Sequence, residues 1–367
     1  MPFAGYTPLR HWEKPFRGFW AVKIPTISVA MPVFNGARFL PEAIASILSQ
    51  TTDDLELIVS DDGSSDRSLE IARAQAAGDS RVIVLASPHG GIARAMNRAL
   101  AAARGEFFAP MDQDDISLPE RLETQLNFLT RHPDIALLGG GMRLVDANGN
   151  AHGERLRPTA PEAAAGAMLT SCAVIHPASM MRTSAVRAVG GYRPVMPFAQ
   201  DYDLWLRLME RYQIANIADI VLLKRIHSGA VTQSRSLRAA QVIARSEAYL
   251  SYFSRVTLGK DIVSADETLL SSATRFINQL LICEGDLPSE AHYNISRFMR
   301  YAPLMSSGTQ AVDHPYWRYL NKLLQQKNGA DVVRALWYAA LYFGFNRWRQ
   351  ARLTADPRHD YTMTSGS

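Results

Sequence analysis

Cysteine is scarce in this sequence, which has two among 367 residues, Cys172 and Cys283. Two thiols form neither a disulfide framework nor a four-cysteine zinc site, so the composition favours a reducing compartment. Residues 1–25 contain no secretory apolar segment, and no apolar run reaches the roughly 20 residues that a membrane-spanning helix needs. The net charge of +4 is small and dispersed, which argues against a nucleic-acid partner. We therefore expect a cytoplasmic protein of one or two domains.

Two nucleotide-binding signatures are also missing. No G-x-G-x-x-G follows the first predicted strand, where a dinucleotide-binding enzyme brings its backbone close to the pyrophosphate. The G-x-x-x-x-G-K-[ST] sequence of a P-loop does not occur either. These absences disfavour NAD-dependent enzymes and P-loop NTPases. They leave a fold that binds a nucleoside diphosphate through carboxylates and a metal ion.

The first third of the chain alternates regularly between short apolar runs and helical patterns. The apolar runs predict four strands, at residues 27–31, 55–59, 82–85 and 107–111. Such alternation is typical of an α/β protein with a mainly parallel sheet covered by helices on both faces. The acidic stretches 61–66 and 112–115 follow the second and fourth strands. We therefore expect both stretches at the carboxyl edge of the sheet, where such folds bind ligands.

The pattern loosens after residue 135. Residues 135–138, 172–175 and 179–181 predict further strands, the last two antiparallel, and residues 146–150 predict a hairpin turn. A helix is predicted to begin near Asp201, with apolar side chains on one face. Beyond about residue 235 the strand signals vanish and helical patterns dominate.

Asp112, Asp114 and Asp115 place three carboxylates within four residues. Like charges raise one another's pKa, and a divalent cation removes this cost. Oxygen ligands suit Mg²⁺ or Mn²⁺, which commonly take substrate phosphates as further ligands. The cluster therefore indicates a metal–diphosphate site, although a solvated turn is the commoner origin of a D-x-D sequence.

Asp61 and Asp62 have two interpretations as well. Both residues suit a tight turn that caps the next helix. Ser65 or Asp66 can cap that helix without them, however. One of the two carboxylates would then accept a hydrogen bond from the N3–H of a pyrimidine base.

A series of motifs resembles a family 2 glycosyltransferase of the GT-A type over residues 26–232. Each motif alone is weak, but together they follow the expected order over more than half of the chain. The motifs are Pro32-Val33-Phe34-Asn35, Asp61-Asp62-Gly63-Ser64, Ala93–Asn97, Ala103-Arg104-Gly105-Glu106, Met111–Asp115, Leu118–Leu122, His176-Pro177, Gly190-Gly191-Tyr192, Gln200–Trp205 and Arg225-Ile226-His227.

The resemblance implies a domain organisation. A GT-A catalytic domain, with a Rossmann-like mixed sheet flanked by helices, is expected at residues 26–235. An N-terminal extension at 1–25 precedes it. A smaller C-terminal helical region at 236–353 and a flexible tail at 354–367 follow it.

The resemblance also implies residues that bind the donor, a UDP- or dTDP-sugar. Asp61 or Asp62 would contact the base, and Asp112 would hold the ribose. Three further donor-binding positions fall in the matching motifs: Pro32, Phe34 and Asn97.

The resemblance further implies a metal site and a general base. Asp114 would hold a divalent cation, Mn²⁺ or Mg²⁺, with Asp115 in support. His227 matches a late histidine that helps to hold the metal or the diphosphate, and a structural hydrogen bond is the alternative for it. Asp201 would be the general base, although Gln200 stands where the family usually has Glu, which leaves that additional acceptor or charge role in doubt.

Together these roles predict an inverting glycosyltransferase. Asp201 would deprotonate the hydroxyl of a saccharide or lipid-linked acceptor, and the metal would stabilise the departing diphosphate. Such an enzyme fits the assembly of bacterial-type surface polysaccharides or glycolipids. Two alternatives remain open, a metal-dependent nucleotidyltransferase and a non-catalytic nucleotide-sugar-binding module. Asp201 favours sugar transfer, because nucleotidyl transfer has no evident use for it.

Residues 335–345 are the most apolar stretch of the C-terminal region. Four arginines flank it, namely Arg334, Arg347, Arg349 and Arg352. The stretch can be a helix packed on the catalytic domain. Alternatively, it can lie at the inner face of an anionic membrane, with its aromatic residues among the headgroups. The second interpretation predicts peripheral membrane contact.

Overall fold

A computed structural model describes residues 24–147, 149–168, 172–196 and 198–227, together with single positions between 241 and 261. The predicted extension up to residue 23, the boundary near residue 235, the apolar stretch 335–345 and the C-terminal tail lie outside these ranges. Among the helices in these ranges, none combines the length and the apolar character that crossing a bilayer requires.

The described ranges contain nine strands and seven α-helices. In chain order they are β1 (Ile27–Val33), α1 (Leu40–Leu48), β2 (Leu55–Asp61), α2 (Ser68–Gly78), β3 (Val82–Ala86), α3 (Ile92–Ala102), β4 (Phe107–Pro110), β5 (Ile116–Ser117), α4 (Arg121–Arg131), β6 (Ile135–Val145), β7 (Ala151–Arg155), α5 (Pro161–Met168), β8 (Met180–Arg182), α6 (Thr183–Ala188), α7 (Gln200–Met209) and β9 (Gln213–Arg225). A short 3₁₀ helix at His176–Ala178 precedes β8.

The strands form one mixed sheet in the order β3-β2-β1-β4-β8-β6-β9-β5, with β7 paired to β6 beside this row. The first four strands of the row are parallel. β8 is antiparallel to both β4 and β6, whereas β6 and β9 are parallel. This sheet, with helices on both faces, is the Rossmann-like mixed arrangement that the sequence predicts.

Helices cover both faces of the sheet because its strands are apolar on both sides. Ile27, Val29 and Met31 of β1 belong to a core shared with α1 and α4. Ala30 of the same strand belongs to a second core shared with α3 and α7, which includes the fully buried Trp205. Successive side chains of a strand point to opposite faces, so one strand contributes to two cores. The near-continuous apolar runs of the sequence follow from this double burial.

Most predicted strands are confirmed, but in the second half one predicted strand is absent and one long strand was not predicted. Residues 172–175 were expected to form a strand, yet they are irregular and lead into the 3₁₀ helix. They are apolar because Ala173 and Val174 are buried in the core, and strand pairing plays no part. The longest strand, β9, is not predicted, because its apolar residues do not alternate regularly with polar ones and its buried side depends on its pairing with β6. The predicted hairpin turn is confirmed between β6 and β7.

Candidate active site

Three loops meet at the carboxyl edge of the parallel strands. β1 lies between β2 and β4, with Val33 opposite Asp61 and Ala30 opposite Pro110. The loop after β1 contacts the loop after β4, because the main-chain N–H of Phe34 donates to Gln113 Oε1 at 2.9 Å. The sheet therefore brings the two acidic stretches to one edge, separated by two strand spacings, or about 10 Å.

Asp61, at the end of β2, leaves one oxygen without a protein partner. Its Oδ1 accepts hydrogen bonds from the main-chain N–H groups of Gly63 and Ser64, both at 3.2 Å. Its Oδ2 is buried and has no hydrogen-bond partner among the described residues. A buried acceptor without a partner is costly, and most such groups in native proteins are satisfied. This oxygen is therefore suited to accept a hydrogen bond from a ligand.

Asp62 is instead committed to the fold. Its carboxylate receives a guanidinium hydrogen bond from Arg98 at 2.8 Å and main-chain N–H groups of Gly90 and Gly91, the latter at 2.7 Å. His89 Nδ1 lies 2.9 Å from the same carboxylate. Burial alone would raise the pKa of Asp62, but these donors together lower it below its usual value. Asp62 thus fixes the loop before α3, and of the two aspartates Asp61 is the one that can receive a base.

The second acidic stretch forms a compact cluster. Carboxylate oxygens of Asp112, Asp114 and Asp115 lie within 4.8 Å of one another. Asp115 is fully buried, and its two oxygens accept hydrogen bonds from Lys224 Nζ and from the main-chain N–H of Arg225, both at 3.1 Å. Burial raises the pKa of Asp115 to about 7, although the positive charge of Lys224 acts to lower it. Asp115 is therefore the buried member of the cluster, while the carboxylates of Asp112 and Asp114 are partly exposed.

Lys224 is a member of the cluster that sequence reasoning missed. Its Nζ also lies 3.3 Å from Asp112 Oδ2, so one cation joins two carboxylates. Burial alone would lower the pKa of Lys224, but Asp115, Asp112 and Asp114 raise it above its usual value. The available signal was its place directly before the Arg225-Ile226-His227 motif, which implies that its neighbours reach the site.

The residues of the cluster fit a divalent cation. Three carboxylates and one ammonium group leave an excess of negative charge, and their oxygens are the ligands that Mg²⁺ and Mn²⁺ prefer. His227 Nε2 lies 2.8 Å from Asp114 Oδ2, and its ring packs against Phe39 with the ring centroids 4.8 Å apart. Asp114 and His227 would therefore hold the ion, and Asp115 would not, because both of its oxygens are engaged.

Asp201 lies in the first turn of α7. The N-cap of this helix is Ala199, which makes no side-chain cap hydrogen bond, so Asp201 is not the cap. Its Oδ1 accepts the main-chain N–H of Tyr202 at 2.8 Å. Asp203, the next carboxylate, is fully buried and paired with Arg193 and Arg207. Asp203 therefore cannot act as an alternative base.

The negative charges of Asp112 and Asp201 act on the same two buried groups. Burial lowers the pKa of His176, and both carboxylates oppose this shift. Burial raises the pKa of Tyr192, and both carboxylates raise it further. The candidate base and the acidic cluster therefore lie near a shared pair of side chains.

The remaining predicted donor residues differ in their placement. Phe34 is 44% exposed at the edge of the sheet, and its ring centroid lies 4.4 Å from that of His89. Pro32 is in β1, paired with Ser60 of β2. Asn97 is on α3, and both polar atoms of its amide bond the main chain of Tyr192. Its amide thus holds the main chain of Tyr192, and its predicted contact with the donor stays a prediction.

Comparison with known proteins gives consistent matches. The family model described as Glycosyl transferase family 2 matches residues 28–190. EpsE of Bacillus subtilis (strain 168), named as a glycosyltransferase, is 40% identical over 190 residues, 51% of this chain and 67% of EpsE. Chondroitin synthase of Pasteurella multocida (strain Pm70) is 28% identical over 207 residues, 56% of this chain and 21% of that protein. The chain thus spans about a fifth of the length of this second relative.

Solved structures agree on the fold. TarS 1-349 of S. aureus superposes with a TM-score of 0.51 at 16% identity, over 89% of this chain and 91% of that chain. Its complex with UDP-GlcNAc gives a TM-score of 0.51 at 18% identity, over 89% of this chain and 92% of that chain. At these identities the likeness concerns the fold alone.

Proposed function

Because the chain belongs to glycosyl transferase family 2, we propose that it transfers a sugar from a UDP- or dTDP-linked donor to an acceptor hydroxyl. The acceptor is a saccharide or a lipid-linked saccharide. The observation that carries this proposal is that two features lie at one edge of the sheet, about 10 Å apart. They are the buried Oδ2 of Asp61, which has no partner among the described residues, and the acidic cluster. A nucleoside diphosphate bridges such a distance, with its base at one end and its phosphates at the other.

Asp61 would select the base. Its buried Oδ2 accepts the N3–H that uracil and thymine carry and that cytosine lacks, so UDP and dTDP are favoured over CDP. The exposed ring of Phe34 offers a face for stacking on the same base. Asp112, at the near side of the cluster, would accept hydrogen bonds from the ribose. The same fold holds UDP-GlcNAc in the solved complex of TarS 1-349.

Asp114 and His227 would hold the divalent cation, which supplies positive charge to the departing diphosphate. Asp201 accepts the proton of the acceptor hydroxyl as its oxygen attacks the anomeric carbon. The new C–O bond forms while the bond between the sugar and the diphosphate breaks. A single displacement of this kind inverts the anomeric configuration.

Release of UDP tests the proposal. The full chain is incubated with a panel of UDP-sugars and Mn²⁺, with and without saccharide acceptors, and free UDP is measured together with the anomeric configuration of any product. We expect metal-dependent release and an inverted product. Binding of a UDP-sugar without any release would indicate a binding module, and formation of pyrophosphate from a nucleoside triphosphate and a sugar 1-phosphate would indicate a nucleotidyltransferase. Either result contradicts the proposal.

Peripheral membrane contact through residues 335–345 is a second part of the proposal, and it is based on the sequence alone. We expect the full chain to sediment with anionic vesicles more than with neutral ones, because arginines flank the apolar stretch. Replacing Trp337 and Phe343 by serine should reduce this difference. Equal sedimentation of the variant and the unchanged protein would assign the stretch to internal packing.

A further inference from the structure

Two buried residues, Tyr192 and His176, lie between Asn97 of α3 and the carboxylate of Asp112. Asn97 Nδ2 donates to the main-chain oxygen of Tyr192 at 2.7 Å, and its Oδ1 accepts the main-chain N–H of Tyr192 at 2.9 Å. The hydroxyl of Tyr192 lies 3.0 Å from Nε2 of His176, and Nδ1 of His176 lies 4.0 Å from Oδ1 of Asp112. The rings of Tyr192 and His176 are 1% and 8% exposed. Hydrogen bonds thus join Asn97, Tyr192 and His176, and the free side of the His176 ring faces Asp112 at 4.0 Å.

We propose that His176 is a positioning residue for Asp112, and that Asn97 and Tyr192 together set its orientation. This inference rests on the proposed function, in which Asp112 binds the donor. It gives a role to the Ala93–Asn97, His176-Pro177 and Gly190-Gly191-Tyr192 motifs, which the proposed chemistry does not otherwise use. None of the three motifs contains a residue that the proposed chemistry requires to touch the donor or the acceptor.

The tautomer of His176 follows from its two neighbours. A neutral imidazole has one N–H donor and one acceptor nitrogen. If Nε2 carried the proton, the lone pair of Nδ1 would face the Asp112 carboxylate, which is unfavourable. With the proton on Nδ1, the Tyr192 hydroxyl donates to Nε2 and the N–H of Nδ1 points toward Asp112. The second arrangement satisfies both contacts.

Asp112 is then held from two sides. His176 faces Oδ1, and Lys224 Nζ lies 3.3 Å from Oδ2. The separation of 4.0 Å between Nδ1 and Oδ1 is longer than a hydrogen bond. Hydrogen bonds at catalytic sites are often long before substrate binds and tighten in the complex. We therefore expect the contact of His176 with Asp112 to shorten when a donor occupies the site.

The glycines before Tyr192 allow this arrangement. Gly190 and Gly191 end α6 with φ angles of +83° and +66°, which side chains rarely adopt. A Cβ at Gly191 would lie 2.7 Å from Oδ1 of Asn97, the atom that bonds the N–H of Tyr192. The imidazole of His176 is also packed against Trp205, with ring centroids 5.9 Å apart. The surroundings thus fix both the main chain of Tyr192 and the plane of the imidazole.

The test compares four variants of the full chain, each checked for its unfolding midpoint. Tyr192→Phe removes only the hydroxyl that donates to His176. His176→Leu removes both nitrogens, whereas His176→Asn keeps an amide N–H near the position of Nδ1. Tyr202→Phe is the matched control, because it removes a buried hydroxyl that donates to Met168 O at 2.7 Å and keeps the main-chain N–H that bonds Asp201. The affinity for UDP with Mn²⁺ is measured by calorimetry, and the ¹⁵N shifts of His176 report its tautomer.

We expect His176→Leu to weaken UDP binding about 10-fold or more, in the range found when groups that orient a ligand-binding carboxylate are removed. Tyr192→Phe should weaken UDP binding about 3- to 10-fold. The UDP affinity of His176→Asn should stay within about 3-fold of that of the unchanged protein, and Tyr202→Phe should have the same UDP affinity as the unchanged protein. The ¹⁵N shifts should show the Nδ1–H tautomer, and Tyr192→Phe should disturb them. An Nε2–H tautomer in the unchanged protein, or UDP affinities of His176→Leu and Tyr192→Phe equal to that of Tyr202→Phe, would overturn the inference. Failure of the unchanged protein to bind UDP would contradict the proposed function as well, and the ¹⁵N shifts would then still decide the tautomer.

Discussion

The two acidic loops at the sheet edge place their charges in opposite surroundings. Burial acts on Asp62 and Asp115 in the same direction, toward a higher pKa. Asp62 receives a guanidinium and two main-chain N–H groups, and the pKa of its carboxyl falls below its usual value. Asp115 receives Lys224 but lies beside two further carboxylates, and its pKa rises to about 7. In the first loop, the protein's own donors thus compensate the charge of Asp62. In the second loop, an excess of negative charge remains, which fits the binding of a cation.

The aspartates of both loops and of α7 also differ in whether they form an ion pair with a lysine or an arginine. In each of the three segments, one aspartate is tied to a cation of the fold and its neighbour is not. Asp62 pairs with Arg98, Asp115 with Lys224, and Asp203 with Arg193 and Arg207. Their neighbours are Asp61, Asp114 and Asp201, which among the described residues make no ion pair with a lysine or an arginine. We infer that the first set serves stability and the second set serves chemistry. Asp112 combines both properties, because it shares Lys224 with Asp115 and is the proposed partner of the ribose.

Asp201→Asn should give the largest effect. Asn keeps the shape of the side chain and its hydrogen bond to the N–H of Tyr202, but it cannot accept a proton at neutral pH. We expect sugar transfer to fall by roughly 10²–10⁴-fold, the usual range for a lost general base. UDP affinity and the unfolding midpoint should be near those of the unchanged protein. Transfer within a few-fold of the unchanged protein would place the base elsewhere.

Asp203→Asn, two residues along the same helix, is the matched counterpart and should act on stability. The substitution removes the buried carboxylate that pairs with Arg207 and leaves Arg193 its pair with Asp261. Breaking a buried ion pair by removing one partner typically costs about 3–5 kcal/mol. Chemical denaturation would measure the free energy of unfolding, and UDP binding by the folded fraction should be retained. A stable variant that had lost transfer would mean that Asp203, and not Asp201, acts in the chemistry.

Asp114→Ala should abolish most of the metal dependence of donor binding. We expect the affinity for UDP in the presence of Mn²⁺ to fall about 10- to 100-fold, toward the value that the unchanged protein shows in EDTA. The unfolding midpoint without metal should not fall, because removing one of three crowded carboxylates relieves repulsion. Calorimetric titration of Mn²⁺ and UDP tests both statements. An unchanged response to EDTA would contradict the assignment of the metal to Asp114.

The sequence predicted the sheet edge but not this division of roles. The acidic stretches follow strands that are recognisable because each is apolar on both faces, so their convergence could be inferred. The partners that decide which aspartate is engaged come from distant parts of the chain. Arg98 is 36 residues from Asp62, and Lys224 is 109 residues from Asp115. Propensity and periodicity are local and carry no information about such pairs.

The same reason explains why the sequence did not reveal the contacts of Asn97 or the existence of strand β9. Asn97 was expected to contact the donor, but its amide bonds the main chain of Tyr192, 95 residues away. Strand β9 was not predicted because its core-facing side depends on pairing with β6, whose register shifts along its length. In both cases the deciding contact is tertiary. The ordered motifs nevertheless identified the family, which the family-model match and the relatives confirm.

Asp61→Asn should change which base is bound. Asn keeps an oxygen for the N–H groups of Gly63 and Ser64, and it presents an amide N–H where Oδ2 stood. This N–H opposes the N3–H of uracil but complements the N3 acceptor of cytosine. We expect the affinity for UDP to fall about 10-fold, as one buried hydrogen bond is lost, and the affinity for CDP to rise. If the variant bound UDP and CDP with the same two affinities as the unchanged protein, Asp61 would have no part in base recognition.

Asp62→Asn should give the smallest effect, a loss of stability that depends on pH. The pKa of Asp62 in the folded protein is lowered from 3.8, so its ionised form contributes stability above about pH 4, and this contribution is lost as pH falls through the folded value. At pH 7 we expect the variant to unfold at a lower denaturant concentration than the unchanged protein. The gap should narrow as the pH is lowered below about 4, because the Asp62 carboxyl of the unfolded chain then takes up a proton, which stabilises the unfolded state of the unchanged protein. Asp61→Asn serves as the control, since its Oδ2 has no described cation to lose. A gap that stays constant between pH 7 and pH 3 would show that Asp62 stabilises the loop through its shape and not through its charge.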